Sequence, residues 1–272
     1  MLYQKIIFQP ITTHQSEIVI ALLSNEGFEG FEEKENSLFA FIRDTLFNIN
    51  YIEFICKTQH VTFTQETVVN QNWNKLWEES WQPIIINNEV GVRASFHTHL
   101  NVIHEIIINP KMSFGTGHHA TTQLMMEYIC EQNFYNKTVL DYGCGTGILS
   151  IFAKKKKALT VLAIDNDIWA VENTKENIHT NYCNTIDVRQ CELAHIHHLQ
   201  FEIILANINY NIIVPSLATL HKMLLPTGIM LISGLLNSDI ENFTIQLKKV
   251  GFTIISEKKL NNWSALNVKK IE

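Results

Sequence analysis

The residues best suited to chemistry start at Val139. The run Val139-Leu140-Asp141 is apolar and ends in a carboxylate, and Tyr142-Gly143-Cys144-Gly145-Thr146-Gly147 follows it. An apolar strand, a glycine-rich turn and then a helix over Ile148 to Ala153 bring backbone atoms close to a ligand. The G-x-G-x-G spacing differs from the G-x-G-x-x-G of dinucleotide sites. Asp141 precedes Gly143 by two positions, where a carboxylate would repel a pyrophosphate. It suits a ligand with a sulfonium and an ammonium, which points to S-adenosylmethionine. Asp165 lies 24 positions after Asp141 (165 minus 141), at the end of the next apolar run. An acid ~20 residues on is where a ribose finds its acceptor. Asp141, Gly143, Gly145 and Asp165 are therefore cofactor-binding candidates, against the plainer reading of a turn and two exposed acids.

Two further segments belong with this turn. Ala206-Asn207-Ile208-Asn209-Tyr210 closes a later apolar run. An amide there can accept an N–H from an amine and aim its lone pair at a methyl group. Unlike a carboxylate, it does not strongly favour the unreactive ammonium. Asn207 is the catalytic candidate, with a strand-end cap as the alternative. Ser113-Phe114-Gly115-Thr116-Gly117-His118-His119-Ala120-Thr121-Thr122 precedes a helix expected from about Gln123. Glycines and hydroxyls at a helix start bind polar ligand atoms, so Phe114, Gly115, Thr116 and Thr122 join the cofactor set. On its own the loop reads as a helix cap. His118-His119 and His195, His197 and His198 lack a matching Cys or carboxylate set at ligand spacing, so no metal is expected.

These residues need a scaffold. Thr138 to Asp141, Thr160 to Asp165, Ile186 to Gln190, Phe201 to Ala206 and Ile229 to Ser233 are strand candidates with helical segments between them. Such alternation implies a parallel sheet covered on both faces, a Rossmann-like α/β domain. Gly251 to Ser256 and Ala265 to Lys269 would close it as a hairpin. Short strands at Ile84 to Ile86, Val90 to Ala94 and Glu105 to Ile108 lead in. Lys154 to Lys157 forms a solvated helix end in this reading.

Residues 1–65 follow a different pattern. Leu2 to Phe8 reads as a strand and His14 to Asn25 as a helix. Phe28 to Glu33 and Ser37 to Ile42 would pair as a hairpin. Asp44 would cap a helix to about Lys57, with a last strand at Val61 to Thr64. The order β-α-β-β-α-β is the ferredoxin-like unit. Between them, 66–83 would be a linker helix carrying Trp73, Trp77 and Trp81 on one face. The expected organisation is a small α+β substrate-recognition domain at 1–65, the linker, and a methyltransferase domain at 84–272.

A 46% hydrophobic content supports a sizeable core, and a net charge of −6 counts against a nucleic-acid surface. Five scattered cysteines without CxxC spacing read as reduced thiols. Met1 to Pro10 lacks the basic start and long apolar run of a signal peptide, and no run approaches the ~20 apolar residues of a membrane span. A cytoplasmic protein with no membrane partner is expected.

Taken in order, these motifs resemble the bacterial ribosomal protein L11 methyltransferases, whose substrate sits at the base of the large-subunit stalk. The resemblance runs from about Asn72 to the C-terminus. The Trp73, Trp77 and Trp81 region, Phe114-Gly115-Thr116-Gly117, His119, Thr121-Thr122, Asp141 to Gly147, Asp165, Asp167, Ala206-Asn207-Ile208, Ser233-Gly234 and Trp263 carry it. It implies transfer of methyl groups to lysine side-chain amines, in some members to the α-amine. It also implies cofactor contacts at Thr122, Gly143, Asp165 and Asn207, and an N-terminal domain that grips the ribosomal protein. Ala120 stands where the family has Pro, and Asn209 where it has an apolar residue. Methylation of a small molecule or of RNA is the competing enzyme reading. A non-catalytic ribosome-binding relative is the competing reading of another class.

Overall fold

The computed structural model describes residues 2–24, 26–69, 82–109 and 117–271. The chain divides into two compact units, Met1–Trp81 and Gln82–Glu272.

The first unit runs β1 (Leu2–Phe8), α1 (Thr13–Ser24), β2 (Gly30–Lys34), β3 (Ser37–Arg43), α2 (Ile49–Gln59) and β4 (Phe63–Val69). Its sheet has the order β2-β3-β1-β4 with every neighbouring pair antiparallel. This is the ferredoxin-like arrangement expected from the pattern. Alternate residues Ile6, Phe8, Leu38, Ala40 and Ile42 meet Val19, Leu23, Ile52 and Ile55 of the helices in one buried cluster. Two local expectations need correction. Asp44 does not cap α2. It opens a single 3-10 turn, Asp44–Leu46, and Asn48 caps the helix by accepting from the Asn50 N–H at 3.1 Å. The last strand also starts two residues late and reaches Val69, because it pairs with all of β1, from Phe8↔Phe63 to Leu2↔Val69. Alternation in Thr64 to Thr67 is all polar, so the hydrophobic pattern hides this edge strand. The expected linker helix is corrected at its start, since 66–69 belong to β4; the segment with Trp73, Trp77 and Trp81 lies outside the described residues.

The second unit opens with a three-stranded sheet, β5 (Ile84–Ile86), β6 (Val90–Arg93) and β7 (His104–Ile107). Then come α3 (Ala120–Glu131), β8 (Thr138–Tyr142), α4 (Ile148–Lys155), β9 (Thr160–Asp165), α5 (Ile168–Thr180), β10 (Asp187–Gln190), β11 (Phe201–Asn207), α6 (Tyr210–Met223), β12 (Leu224–Leu236), α7 (Ile240–Lys249), β13 (Phe252–Leu260) and β14 (Trp263–Lys270). The seven-stranded sheet has the order β10-β9-β8-β11-β12-β14-β13. Its first five strands are parallel, and β14 is antiparallel to both its neighbours. The Rossmann-like architecture is therefore as expected, with an antiparallel hairpin at one edge. The strand order reverses between β8 and β11. That switch point leaves a crevice at the carboxyl ends of the strands, where ligands bind in such sheets.

The lysine run at the end of α4 is less solvated than expected. Lys156 Nζ donates to Glu89 Oε1 and to the Cys130 carbonyl, both at 2.8 Å, and Lys154 Nζ donates to the carbonyls of Ala158 and Leu159. These ammonium groups tie the helix end to its neighbours, satisfying a carbonyl in the last turn of α3 and two in the segment that leads into β9.

Candidate functional site

The site is assembled at the switch point. The turn after β8 is held from three sides. The Gly143 and Cys144 N–H groups both donate to the Ile164 carbonyl of β9, at 2.9 and 3.0 Å. From α5, Thr174 Oγ1 donates to the Gly145 carbonyl at 2.8 Å and Asn177 Nδ2 to the Thr146 carbonyl at 2.9 Å. Gly143 has a φ of +75°, and a Cβ there would fall on Ile208 Cγ2, so glycine is required twice over.

Asp165 ends β9 as expected and leans over the turn. Its Oδ2 accepts the Gly145 N–H at 3.0 Å and its Oδ1 accepts the Asp167 N–H at 3.1 Å. Asp167 in turn caps α5 by accepting from the Trp169 N–H at 2.9 Å. Asp141 is placed differently from an exposed acid. It is 1% exposed and sits beneath the turn, where Oδ2 accepts from the Ser150 N–H at 3.1 Å and from Ser150 Oγ at 2.6 Å. Its Oδ1 has no partner among the described residues. Burial raises the carboxyl to about 6 against the pull of those two hydrogen bonds, and the like charge of Asp165 adds to the rise.

Asn207 ends β11 one residue past the Ala206↔Tyr142 register pair, which puts it beside the glycine turn. Its Nδ2 donates to Thr122 Oγ1 at 3.4 Å, and its Oδ1 is buried without a partner among the described residues. Thr122 is fully buried in the first turn of α3. That helix starts at Ala120, three residues earlier than the sequence pattern suggested, because His119 caps it through Nδ1, which accepts the Thr121 N–H at 3.3 Å. The His119 ring also meets Trp263 edge-on at 4.9 Å. Phe114, Gly115 and Thr116 lie outside the described residues.

A cavity of about 460 Å³ opens along this edge, large enough for a nucleoside-sized ligand. Gly143, Gly145 and Asp165 line it, while Asp141, Thr122 and Asn207 do not. Its far wall is Cys191 to Ala194 after β10, anchored by the Cys191 N–H to the Asp165 carbonyl at 3.0 Å. Ile208, Ile212 and Ser216 close the other side. Sequence reasoning missed these walls. The signal was available for the 191–194 segment, since it follows a strand of the same parallel sheet and must emerge at the same edge. Among the described residues no group of three His, Cys, Asp and Glu side chains is arranged to hold a metal.

A family model described as Ribosomal protein L11 methyltransferase (PrmA) matches residues 11–271. The chain belongs to the ribosomal protein L11 methyltransferase family. Members from Porphyromonas gingivalis and Bacteroides thetaiotaomicron are 38% and 35% identical to it, over 92% and 94% of this chain and 89% and 95% of theirs. The crystal structure of a ribosomal protein L11 methylase from Lactobacillus delbrueckii subsp. bulgaricus superimposes with a TM-score of 0.66 at 25% identity, over 71% of this chain and all of that one.

The methyl donor of this methyltransferase is S-adenosylmethionine. The residues at the switch point fit it. Asp141 Oδ1 and Asn207 Oδ1 are buried acceptors that lack donors among the described residues. Such atoms call for a partner, and a ligand with an ammonium group brings one. Asp165 offers a carboxylate to hydroxyls, and Gly143 and Gly145 present backbone without side chains to the same cavity.

Proposed function

We propose that this protein transfers methyl groups from S-adenosylmethionine to lysine side-chain amines of ribosomal protein L11, with the α-amine as a further acceptor. Gly143 and Gly145 would hold the cofactor by backbone approach, Asp165 its ribose hydroxyls, and Thr122, Asn207 and the Phe114-Gly115-Thr116 loop its amino-acid end. Bound there, S-adenosylmethionine supplies a methyl group on a sulfonium, which needs mainly in-line approach by a neutral amine.

The chain's own contribution is orientation. Asn207 carries the proposal: its Nδ2 is occupied by Thr122, so its buried Oδ1 is the end left to accept an N–H. An amide acceptor aims the amine while favouring its protonated form far less than a carboxylate would. A free lysine has a pKa near 10.4. Entry into a partly dry pocket lowers that value, and the proton leaves to water, so the reading includes no dedicated general base.

Residues 1–65 serve as the substrate-recognition domain in this reading. They contain none of the proposed cofactor residues, and their ferredoxin-like unit has its own core. No described helix is long and apolar enough to cross a membrane, and a ribosomal protein as substrate supports a cytoplasmic location.

The test is incubation of the purified protein with labelled S-adenosylmethionine and purified ribosomal protein L11, followed by mass spectrometry of the product. Label on lysine or α-amino nitrogens supports the proposal. An unlabelled ribosomal protein overturns it, and a parallel incubation with a cell extract then shows whether RNA or a small molecule takes the label instead.

A further inference from the structure

Ile208, the residue after Asn207, is wedged between two glycines. Its backbone lies against Gly234 of β12, which has a φ of +88°. A Cβ on Gly234 would fall on the Ile208 carbonyl oxygen, 2.7 Å from the carbonyl carbon and 3.0 Å from the nitrogen. These are backbone atoms, so nothing there can swing aside. On the opposite side, the Ile208 side chain occupies the space a Cβ on Gly143 would need. The strands make room for this wedge. The β12–β14 ladder shifts register between Ile232 and Leu235, around Gly234. The β11–β12 pairing ends at Asn207↔Ser233, and the Ile208 N–H still donates to the Ser233 carbonyl at 3.2 Å.

We infer that Gly234 is a positioning residue for methyl transfer. By lacking a side chain it lets Ile208 settle against β12 and under the Gly143 turn, which fixes the Asn207 amide relative to the cofactor turn. The inference rests on the role given to Asn207 above. Its physical content is short. Any side chain at 234 pushes the Ile208 carbonyl outward, and the 207–208 peptide must rotate with it. A displacement of about 1 Å at a reacting group costs ~100-fold in rate. Asn207 keeps its hydrogen-bonding atoms but loses their aim.

A close glycine contact could equally be plain strand packing, and the same strand supplies the control. A Cβ on Gly228 would stand 2.7 Å from the backbone oxygen of Glu202, again between β12 and β11. Glu202 lies at the other end of the sheet, where it holds Lys137 and the Thr138 N–H. Gly228→Ala therefore introduces a backbone clash between the same two strands away from the site, a milder one because a single backbone atom is met and φ is not positive.

The experiment measures single-turnover methylation of ribosomal protein L11 at saturating cofactor for Gly234→Ala, Gly228→Ala and Asn207→Ala. It is run below the melting point of all three, with the KM for the ribosomal protein measured alongside. Both glycine variants should melt lower than the parent. Only Gly234→Ala should lose at least about tenfold in rate, with KM changed by less than about threefold, the pattern of lost aim rather than lost binding. Gly234→Ala reacting as fast as Gly228→Ala overturns the inference, as does an equal loss in both. If Gly234→Ala fails to fold, Ile208→Ala decides, since it removes the wedge without adding a clash. A slowed Ile208→Ala supports the inference and a parental rate overturns it. A slow Asn207→Ala beside a fast Gly234→Ala sinks this inference alone, whereas a fast Asn207→Ala sinks the role of Asn207 and this inference with it.

Discussion

Asn207 Nδ2 and Thr122 Oγ1 are joined by a 3.4 Å hydrogen bond that spans 85 residues of sequence and links the end of β11 to the first turn of α3. This bond decides which end of the amide is available. With the nitrogen engaged, Oδ1 is the free end. Asn207→Ala removes the acceptor, so turnover should fall by a factor of about a hundred, as expected when a reacting group loses its orientation. Asn207→Asp should also be slow, because a carboxylate favours the ammonium. Thr122→Val should have a smaller effect, about fivefold, since a single neutral hydrogen bond is worth about 1 kcal/mol. Thr122→Ser should restore most of the loss. Single-turnover rates with cofactor saturated make the comparison, and a parental rate in Asn207→Ala would reduce the residue to a strand-end cap.

Asp141 predicts a pH dependence of opposite sign for stability and for binding. Its folded-state value, about 6, lies above the usual carboxylate range. Between about pH 4 and 6 the folded protein therefore binds more protons than the unfolded chain, and this group's contribution to stability declines as pH rises. A shift of about two units corresponds to a cost of up to about 3 kcal/mol at pH 7. Asp141→Asn should remove that slope and melt higher at pH 7. A cationic ligand near Oδ1 prefers the ionised form, so cofactor affinity should increase as pH rises through about 6 in the parent. Calorimetric titrations at pH 5 and 7.5 read this out. An equal pH effect in Asp141→Asn would show that another group is responsible.

Asp165 makes two backbone hydrogen bonds, to the N–H groups of Gly145 and Asp167. Its removal should therefore loosen the turn as well as cost ribose contacts. Hydrogen bonds to a charged group contribute about 1.5–3 kcal/mol each, so cofactor affinity in Asp165→Ala should fall tenfold or more, at about 1.4 kcal/mol per tenfold. Asp165→Asn keeps an acceptor oxygen and should lose less. Calorimetry giving the same dissociation constant for Asp165→Ala and the parent would rule out the ribose assignment.

The parallel sheet and its glycine turn were legible in the sequence because strands such as Thr160–Asp165 are continuous apolar runs ending in a polar residue. Such runs result from burial on both faces. Asn207 and Thr122 were each legible as motif members, but their bond was not, since it depends on how α3 crosses the sheet. Asp141 could be placed by spacing, yet its burial depends on Ser150, nine residues on, turning back as α4 begins. The wall at Cys191 to Ala194 has no motif of its own and is defined only by strand order. In the first unit, β4 was misread because an edge strand needs few apolar residues, and α2 because Asp44 and Asn48 are both good caps.

The proposed division of labour between the two units gives the last prediction. The proposed cofactor residues all lie in the second unit, which has its own buried cluster from Leu140 to Val268. The first unit closes its own sheet with β4, which pairs with β1 as far as Val69. A cut before Val69 would strip the end of an edge strand from one unit and leave an unpaired fragment on the other. A chain starting at Gln82 avoids both problems. It should fold, bind S-adenosylmethionine within about threefold of the full-length affinity, and lose methylation of ribosomal protein L11 by a factor of a hundred or more, because docking raises the effective concentration of the amine into the millimolar range. A short lysine peptide tests the chemistry separately, since it gains nothing from docking. The shortened chain and the full-length protein should methylate it at similar slow rates. If the shortened chain modifies the ribosomal protein at the full-length rate, the first unit does not recognise the substrate. If it fails on the peptide as well while still binding cofactor, the first unit contributes to the chemistry itself.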